Sequence, residues 1–299
     1  MQKSDALNPN VQHPVQPPVQ LLKGQPVAAK IIAEVKAESD RLAQSKQLKI
    51  KLVVVLVGAD PASEVYVSHK IKKCQEIGFD SELVRFSKDA TQAEVIEKIK
   101  SLNQDPHCNG ILVQLPLPQH LDSRVVVNHI DPLKDVDGLT DYNIGGLVSG
   151  RSAIASCTPA GIIETLKFYN LSVAQKKSLV IGRSLIVGMP LFHLLNKENS
   201  TVTVAHSQTE NVAGLLKDYD FVFVAAGKPH LFKADQFASG AVVVDVGIHR
   251  LPSGLTGDVD FNCNHQLKAY TPVPGGVGPL TIAVLMKNTL IQAKLQNRL

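Results

Sequence analysis

The residues best suited to bind an anion are Gly182, Arg183 and Ser184, which follow a short apolar run and precede Gly188 and Pro190. This pattern predicts a strand, a tight turn and a helix that Pro190 opens. A helix N-terminus offers free N–H groups and the positive end of its dipole, and arginine adds a bidentate phosphate donor. We therefore predict a phosphate-binding loop for a nucleotide cofactor. The spacing is not G-x-G-x-x-G, so the alternative is a turn whose glycines serve packing alone.

Tyr66 and Lys70 could carry proton-transfer chemistry. They are four residues apart in a predicted helix, so their side chains share one face. A lysine beside a phenol in a cleft loses solvation, which lowers its pKa toward the range of a proton-transfer group. The alternative is a surface lysine and a half-buried tyrosine. Short-chain dehydrogenases also use Y-x-x-x-K, but after their glycine-rich strand, and the present pair lies far upstream of it.

Polar residues that could bind a substrate follow two other segments. Gln114 ends a predicted strand, where ligands bind in open parallel sheets, and its amide can donate and accept hydrogen bonds at once. Asp135 and Asp137 alternate in a loop. A carboxylate there could hold an amino-pyrimidine ring, cap a turn or bind a cation, and these alternatives stay open. For Asp258 and Asp260 we favour a role in a turn.

The segment 271–281 is dense in proline and glycine and leads into the last predicted helix. Gly275, Gly276 and Gly278 allow the backbone to contact a flat ligand closely. The alternative is a rigid connecting turn, but so long a run is costly unless it shapes a site.

The elements that must position these groups alternate between apolar strands and amphipathic helices. This order predicts an α/β fold with two domains, each a mostly parallel sheet with flanking helices, and a cleft between them. The second domain is expected to be a Rossmann-type NAD(P)-binding domain. Its four predicted strands are Ser178–Ile181, Val202–Ala205, Phe221–Val224 and Val242–Val246. The predicted division is a flexible leader 1–20, a first domain of 21–157 plus 280–299, and a second domain of 158–279. Thr158 is the expected cap of the helix that joins them.

Bulk composition excludes several classes of protein. The chain has 299 residues and a net charge of +4, without a basic stripe, so we expect no nucleic-acid partner. No apolar run approaches the length of a membrane span, so no membrane partner is expected. The four cysteines are widely spaced and the histidines have no metal-ligand spacing, so we expect no disulfide framework, no metal and a reducing, cytoplasmic location.

Taken in order, these segments resemble the bifunctional methylenetetrahydrofolate dehydrogenase/methenyltetrahydrofolate cyclohydrolases of folate one-carbon metabolism. The resemblance runs from about Leu21 to the C-terminus. It depends on nine segments that are specific through their order along the chain, among them Tyr66-Val-Ser-His-Lys70, Gly110-Ile-Leu-Val-Gln-Leu-Pro-Leu-Pro118, Lys134-Asp-Val-Asp-Gly138, Gly182-Arg-Ser184 and Pro272-Val-Pro-Gly-Gly-Val-Gly-Pro279.

The resemblance implies two reactions. An NADP-dependent oxidation converts 5,10-methylenetetrahydrofolate to the methenyl cation, and water opens that cation to 10-formyltetrahydrofolate, which supplies purine biosynthesis. It makes the first domain the folate-binding catalytic domain and the second the NADP-binding domain. NADP is favoured over NAD, and a homodimer is implied.

The resemblance also implies residue roles. Lys70 moves protons in the hydrolytic step, Tyr66 packs along the folate, Gln114 hydrogen-bonds the lysine, and Asp137 holds the pterin ring. The remaining implied substrate-binding residues are Val113, Leu115, Pro274, Gly275, Gly276, Val277, Gly278, Pro279 and Thr281. The implied cofactor-binding residues are Gly182, Arg183, Ser184, Ser207 and Ile248.

The chain departs from the family pattern at a few positions. His69 stands where a small polar residue is more common, and Leu280 stands where Met is common. Leu185 and Met189 replace a frequent Asn and Lys beside the phosphate loop, and the lost lysine puts the strength of NADP preference in doubt. A dehydrogenase without hydrolysis and a non-catalytic nucleotide-binding protein are the competing interpretations. The presence of Tyr66, Lys70 and Gln114 argues against the first, and the presence of the whole set of site residues argues against the second.

Overall fold

The computed structural model describes residues 18–151 and 154–299 of the chain. Most of the predicted leader, 1–20, lies outside these ranges. Its last residue is not part of a leader, because Gln20 and Leu21 form strand β1 (Gln20–Leu21), which pairs in parallel with Ala269–Tyr270. The next residue, Leu22, is fully buried in the core of the second domain. Strand β1 and Leu22 therefore attach this part of the chain to the second domain.

The first domain contains three parallel strands in the order β3-β2-β4. Its elements are α1 (Gly24–Lys46), β2 (Lys51–Val57), α2 (Pro61–Glu76), β3 (Asp80–Phe86), α3 (Gln92–Gln104), β4 (Gly110–Val113), α4 (Ser123–Val127) and α5 (Asp141–Val148). Both faces of β2 are covered, since Leu52, Val54 and Leu56 belong to one apolar cluster and Val53, Val55 and Val57 to another. This double burial explains the continuous apolar run in its sequence.

The second domain is built on a parallel six-stranded sheet in the order β1-β13-β9-β7-β5-β6. Besides β1, its elements are α6 (Cys157–Phe168), β5 (Lys177–Ile181), α7 (Gly188–Lys197), β6 (Thr201–Ala205), α8 (Val212–Leu215), β7 (Phe221–Val224), β8 (Phe232–Lys233), β9 (Val242–Asp245), β10 (His249–Leu251), β11 (Gly254–Thr256), β12 (Val259–Asp260) and β13 (Ala269–Tyr270). The last helix, α9 (Gly278–Gln296), follows β13 in the chain. The sequence predicts only four of these sheet strands. It misses β1 and β13 because a two-residue strand is too short to show a periodic pattern.

Helix α9 returns to the first domain, where its apolar residues join the cluster formed by α1 and β2. Helix α6 also packs on it, and the Thr158 and Thr281 hydroxyl oxygens are 2.9 Å apart. The expectation that Thr158 caps α6 is therefore wrong: the helix begins at Cys157, and Thr158 bonds across to α9. No helix within 18–151 and 154–299 is long and apolar enough to cross a membrane.

Candidate functional site

The main candidate site is a cleft of about 630 Å³ between the two domains, which we call the central cleft. The first domain contributes the start and one face of α2 and the end of β4, and the second contributes the segment after β9. The segment before α9 forms a further wall. All predicted substrate-binding residues line this cleft, namely Tyr66, Lys70, Val113, Gln114, Leu115, Asp137, Pro274, Gly275, Gly276, Val277, Gly278, Pro279 and Thr281.

Helix α2 presents Lys70 to the central cleft. The helix begins after Asp60, whose carboxylate accepts a hydrogen bond from the Ser63 N–H at 2.8 Å. Lys70 is 8% exposed, whereas Tyr66 on the same face is 43% exposed. The Lys70 Nζ donates to Gln114 Oε1 at 2.8 Å, and the Gln114 amide donates to the Leu115 carbonyl at 2.6 Å. Gln114 therefore fixes the position of the ammonium nitrogen.

The surroundings of Lys70 change how it titrates. Burial lowers the pKa of Lys70, and the nearby carboxylate of Asp137 acts in the opposite direction. Burial also raises the pKa of Asp137, against the pull of the Lys70 charge. The cleft thus holds an amine and a carboxyl group whose pKa values are moved toward each other, as is typical of proton-transfer sites.

The two loop aspartates have different roles. Asp135 is 1% exposed and accepts hydrogen bonds from the Gly138 N–H, from the N–H and hydroxyl of Thr140 and from the Asn143 amide. All these donors belong to its own loop and to the start of α5, so Asp135 holds the loop. Asp137 faces the central cleft. Of the two aspartates, only Asp137 is placed where its carboxylate could contact a ligand in the cleft.

The proline- and glycine-rich segment is shaped by close backbone contact. A Cβ atom at Gly276 would lie 2.5 Å from the Pro272 carbonyl oxygen, and a Cβ atom at Gly24 would lie 1.8 Å from the Gly276 oxygen. The Gly24 N–H donates to the Gly275 carbonyl at 2.8 Å. This segment is therefore fastened to the start of α1 and forms a fixed wall of the cleft.

A second cavity of about 410 Å³ lies at the carboxyl ends of β5, β6 and β7, and we call it the nucleotide pocket. Gly182, Arg183, Ser184 and Ser207, four of the predicted cofactor-binding residues, line it. Gly182 has φ +122°, and a Cβ atom there would lie 2.3 Å from the Ala225 carbonyl oxygen. A glycine is therefore needed here for close packing of the turn, and phosphate binding by this loop stays a prediction.

We expected the N–H groups at the start of α7 to be free to bind an anion, but two of them already have a hydrogen-bond partner. The Ser184 hydroxyl accepts from the N–H groups of Val187 and Gly188 at 3.2 and 3.4 Å. The helix begins at Gly188, so Pro190 lies inside its first turn and does not open it. An anion in this pocket would rely more on side chains, above all Arg183, than on the helix end.

Ile248 lies apart from the other four predicted cofactor residues, in the lining of the central cleft. Its loop is held by Asp245, whose carboxylate accepts from the N–H groups of Gly247, Asp258 and Val259. Burial raises the pKa of Asp245 to about 6. The cofactor residues thus mark two cavities, which suits a ligand that extends from one to the other.

Asp258 and Asp260 have the structural roles that the sequence favours. Asp258 is fully buried and accepts from three consecutive N–H groups, those of residues 226–228, and from His249 Nε2 at 2.7 Å. Asp260 accepts from the Asn262 N–H at 2.9 Å in a short turn.

The nucleotide pocket contains further residues that are not among those predicted from the sequence. Those with polar side chains are His206, Thr209 and Lys228. Lys228 follows the end of β7, so the rule that singles out Gln114 after β4 would have found it. Among the described residues no group of three or more His, Cys, Asp and Glu side chains could hold a metal ion.

Two family models match the chain. Residues 22–137 match the catalytic domain, and residues 156–297 the NAD(P)-binding domain, of tetrahydrofolate dehydrogenase/cyclohydrolase. The chain is 48% identical over 281 residues to the protein of Dichelobacter nodosus named "Bifunctional protein FolD", covering 92% of this chain and 97% of that one.

Solved structures give the same result. The bifunctional enzyme FolD-methylenetetrahydrofolate dehydrogenase/cyclohydrolase from Campylobacter jejuni is 42% identical with a TM-score of 0.90, covering 94% of this chain and 100% of that one. The Trypanosoma brucei N5,N10-methylenetetrahydrofolate dehydrogenase-cyclohydrolase, complexed with NADP cofactor and inhibitor, is 34% identical with a TM-score of 0.90, covering 95% of this chain and 100% of that one.

Proposed function

Because the chain belongs to the tetrahydrofolate dehydrogenase/cyclohydrolase family, we propose that the central cleft and the nucleotide pocket are the two halves of its active site. The chain is an NADP-dependent methylenetetrahydrofolate dehydrogenase and a methenyltetrahydrofolate cyclohydrolase. It oxidises 5,10-methylenetetrahydrofolate to the methenyl cation and hydrolyses that cation to 10-formyltetrahydrofolate. The observation that carries the assignment to this cleft is the buried Lys70, held by Gln114 beside Asp137.

Lys70 is the proposed proton-transfer residue of the hydrolytic step. The methenyl substrate is a cation, so a neutral amine beside it is favoured over an ammonium ion. When water bonds to the methenyl carbon, Lys70 Nζ accepts the proton that the water loses. The same nitrogen returns that proton to the ring nitrogen as its bond to the carbon breaks, while the hydroxyl group of the adduct loses its own proton to solvent and becomes the formyl carbonyl. The lowered pKa of Lys70 and its hydrogen bond to Gln114 support this role.

Asp137 and Tyr66 are the proposed residues that place the folate. A carboxylate can pair with the amino group and ring nitrogen of a pterin through two hydrogen bonds. Tyr66 is half exposed at the cleft, so its ring is available to pack along a flat ligand. The segment 274–279 and Thr281 would form the facing wall.

The nucleotide pocket fits NADP, which accepts the hydride when it is bound. Arg183 and the hydroxyl groups of Ser184 and Ser207 line it, and the described lining contains no Asp or Glu side chain. This donor set suits a phosphate. The proposed route from the nucleotide pocket to the folate passes Ile248, which lines the central cleft.

Further parts of the proposal rest mainly on the family. We propose a homodimer and a cytoplasmic location; the free thiols of Cys74, Cys108, Cys157 and Cys263 suit a reducing compartment. We propose 21–157 plus 280–299 as the folate-binding domain, with 158–279 as the cofactor domain, because α9 packs on α1. Light scattering on the purified protein would test the dimer.

The deciding experiment follows reduced cofactor and methenyl-folate at two wavelengths, with 5,10-methylenetetrahydrofolate and either NADP or NAD. We expect reduced NADP to form without accumulation of methenyl-folate. Accumulation would mean that hydrolysis in this site is weak, and no reduction with either cofactor would overturn the proposal.

A further inference from the structure

The nucleotide pocket contains a second cation besides Arg183. Lys228 follows β7 and lines the pocket together with Arg183, which follows β5, and Ser207, which follows β6. Neither Lys228 nor Arg183 forms an ion pair with any residue in 18–151 or 154–299. Both side chains are exposed. Two unpaired cations that share a concave pocket raise the local potential and favour an anion there.

The backbone that carries Lys228 is firmly held. Asp258 Oδ2 accepts from the N–H groups of Ala226 and Gly227 at 2.7 and 3.0 Å, and its Oδ1 accepts from the Lys228 N–H at 3.0 Å. Asp258 is fully buried, and His249 Nε2 lies 2.7 Å from its Oδ1. These bonds fix the start of the Lys228 side chain at the edge of the pocket.

The chemistry at the end of β6 indicates which anion the pocket prefers. Rossmann domains that prefer NAD place a carboxylate after the second strand to bind the ribose 2′-hydroxyl. The corresponding pocket residues after β6 are His206, Ser207 and Thr209, and none of them carries a carboxylate. A phosphate monoester has a charge of about −1.5 to −2 at pH 7, which one arginine does not neutralise.

We propose that Lys228 is a third group for the 2′-phosphate of NADP, acting beside Arg183 and Ser207 and determining the preference for NADP over NAD. The inference rests on the proposed assignment of this pocket to the adenosine half of the cofactor. It also gives the pocket a second positive charge, although Met189 stands where the family frequently has lysine.

The test is calorimetric binding of 2′,5′-ADP and of 5′-AMP to the full chain, which needs no folate and no turnover. For Lys228→Met we expect the Kd of 2′,5′-ADP to rise by about tenfold or more, as for a lost hydrogen bond between charged groups, and that of 5′-AMP by less than twofold. Lys228→Arg should retain most of the affinity. The matched control is Lys268→Met, which removes one exposed charge from the same domain outside the pocket.

Other outcomes separate the possible failures. If Lys228→Met weakens both ligands equally, or weakens neither, Lys228 does not contact the 2′-phosphate and the inference is overturned. If the unaltered chain binds neither ligand, the assignment of the pocket itself fails, and with it the proposed cofactor site. A KM measurement with NADP and NAD should show the same split as the binding data.

Discussion

The central cleft and the nucleotide pocket differ in the exposure and the pairing of their cationic side chains. In the cleft, Lys70 is 8% exposed, bonded to Gln114 and close to Asp137. In the pocket, Arg183 and Lys228 are exposed and have no carboxylate partner among the described residues. Burial changes the pH at which Lys70 gains or loses a proton, whereas an exposed cation without a carboxylate partner is accessible to an anionic ligand. The first arrangement suits chemistry and the second suits binding.

The largest effect should come from removing the buried amine. Lys70→Met keeps much of the side-chain volume, and we expect cyclohydrolase activity to fall by about 100-fold or more because the proton-transfer group is lost. The far-UV circular dichroism spectrum should be unchanged. Hydrolysis of added methenyl-folate measures the loss directly.

The matched control for this change is Lys72→Met, because Lys72 lies on the exposed side of the same helix. It should hydrolyse methenyl-folate at nearly the unaltered rate. Hydrolysis by Lys70→Met at that same rate would show that the lysine assignment is wrong, and with it the contrast between the two regions.

The second effect concerns the exposed cation. For Arg183→Ala we expect the KM for NADP to rise by about 10- to 100-fold, since a charge-assisted hydrogen bond is lost, and the KM for NAD to change far less. Raising the ionic strength should weaken NADP binding in the unaltered chain and have less effect in the variant. An equal rise in KM for NADP and for NAD would show that Arg183 does not contact the 2′-phosphate.

Part of this contrast is predictable from the sequence. Strand β2 is recognisable because burial of both faces requires a continuous apolar run, and Gln114 is found because ligands bind where parallel strands end. The spacing of Tyr66 and Lys70 places both on one face of α2. What the sequence does not give is the depth of burial, which separates 8% from 43% exposure for these two residues.

Other features depend on contacts between distant segments. The sequence cannot separate Asp135 from Asp137, because the difference lies in where the donors of Thr140 and Asn143 point after folding. The sequence also cannot show that the Ser184 hydroxyl accepts hydrogen bonds from the N–H groups at the start of α7.

A subtler effect should appear in the pH dependence of hydrolysis. The charge of Asp137 keeps the pKa of Lys70 higher than burial alone would leave it, so Asp137→Asn should lower that pKa further. Because the neutral amine is the active form, activity rises with pH through this pKa, and its rise should move to lower pH in the variant. The measurement is kcat for hydrolysis against pH, with saturating methenyl-folate, since KM should increase as well.

Asp135→Asn is the comparison for that profile. It leaves Asp137 intact but weakens an acceptor to which four groups donate, so the free energy of unfolding should fall by about 1–3 kcal/mol. In the folded fraction the pH profile should stay close to that of the unaltered chain. A profile displaced equally in both variants would mean that the loop geometry, and not the Asp137 charge, sets the pKa of Lys70.

The smallest effect tests whether an ion pair contributes strongly to stability or activity when its side chains are not buried. Glu164 of α6 and Lys287 of α9 are 2.7 Å apart, so this pair is as close as Lys70 and Gln114, yet its side chains are 33% and 38% exposed. Water screens such a pair, and Glu164→Gln should lower the free energy of unfolding by less than about 1 kcal/mol, without changing either activity. Urea unfolding and the two-wavelength assay check both statements. A loss of several kcal/mol would mean that pairing across α6 and α9 matters as much as burial, and exposure alone would then not explain the difference between the cleft and the pocket.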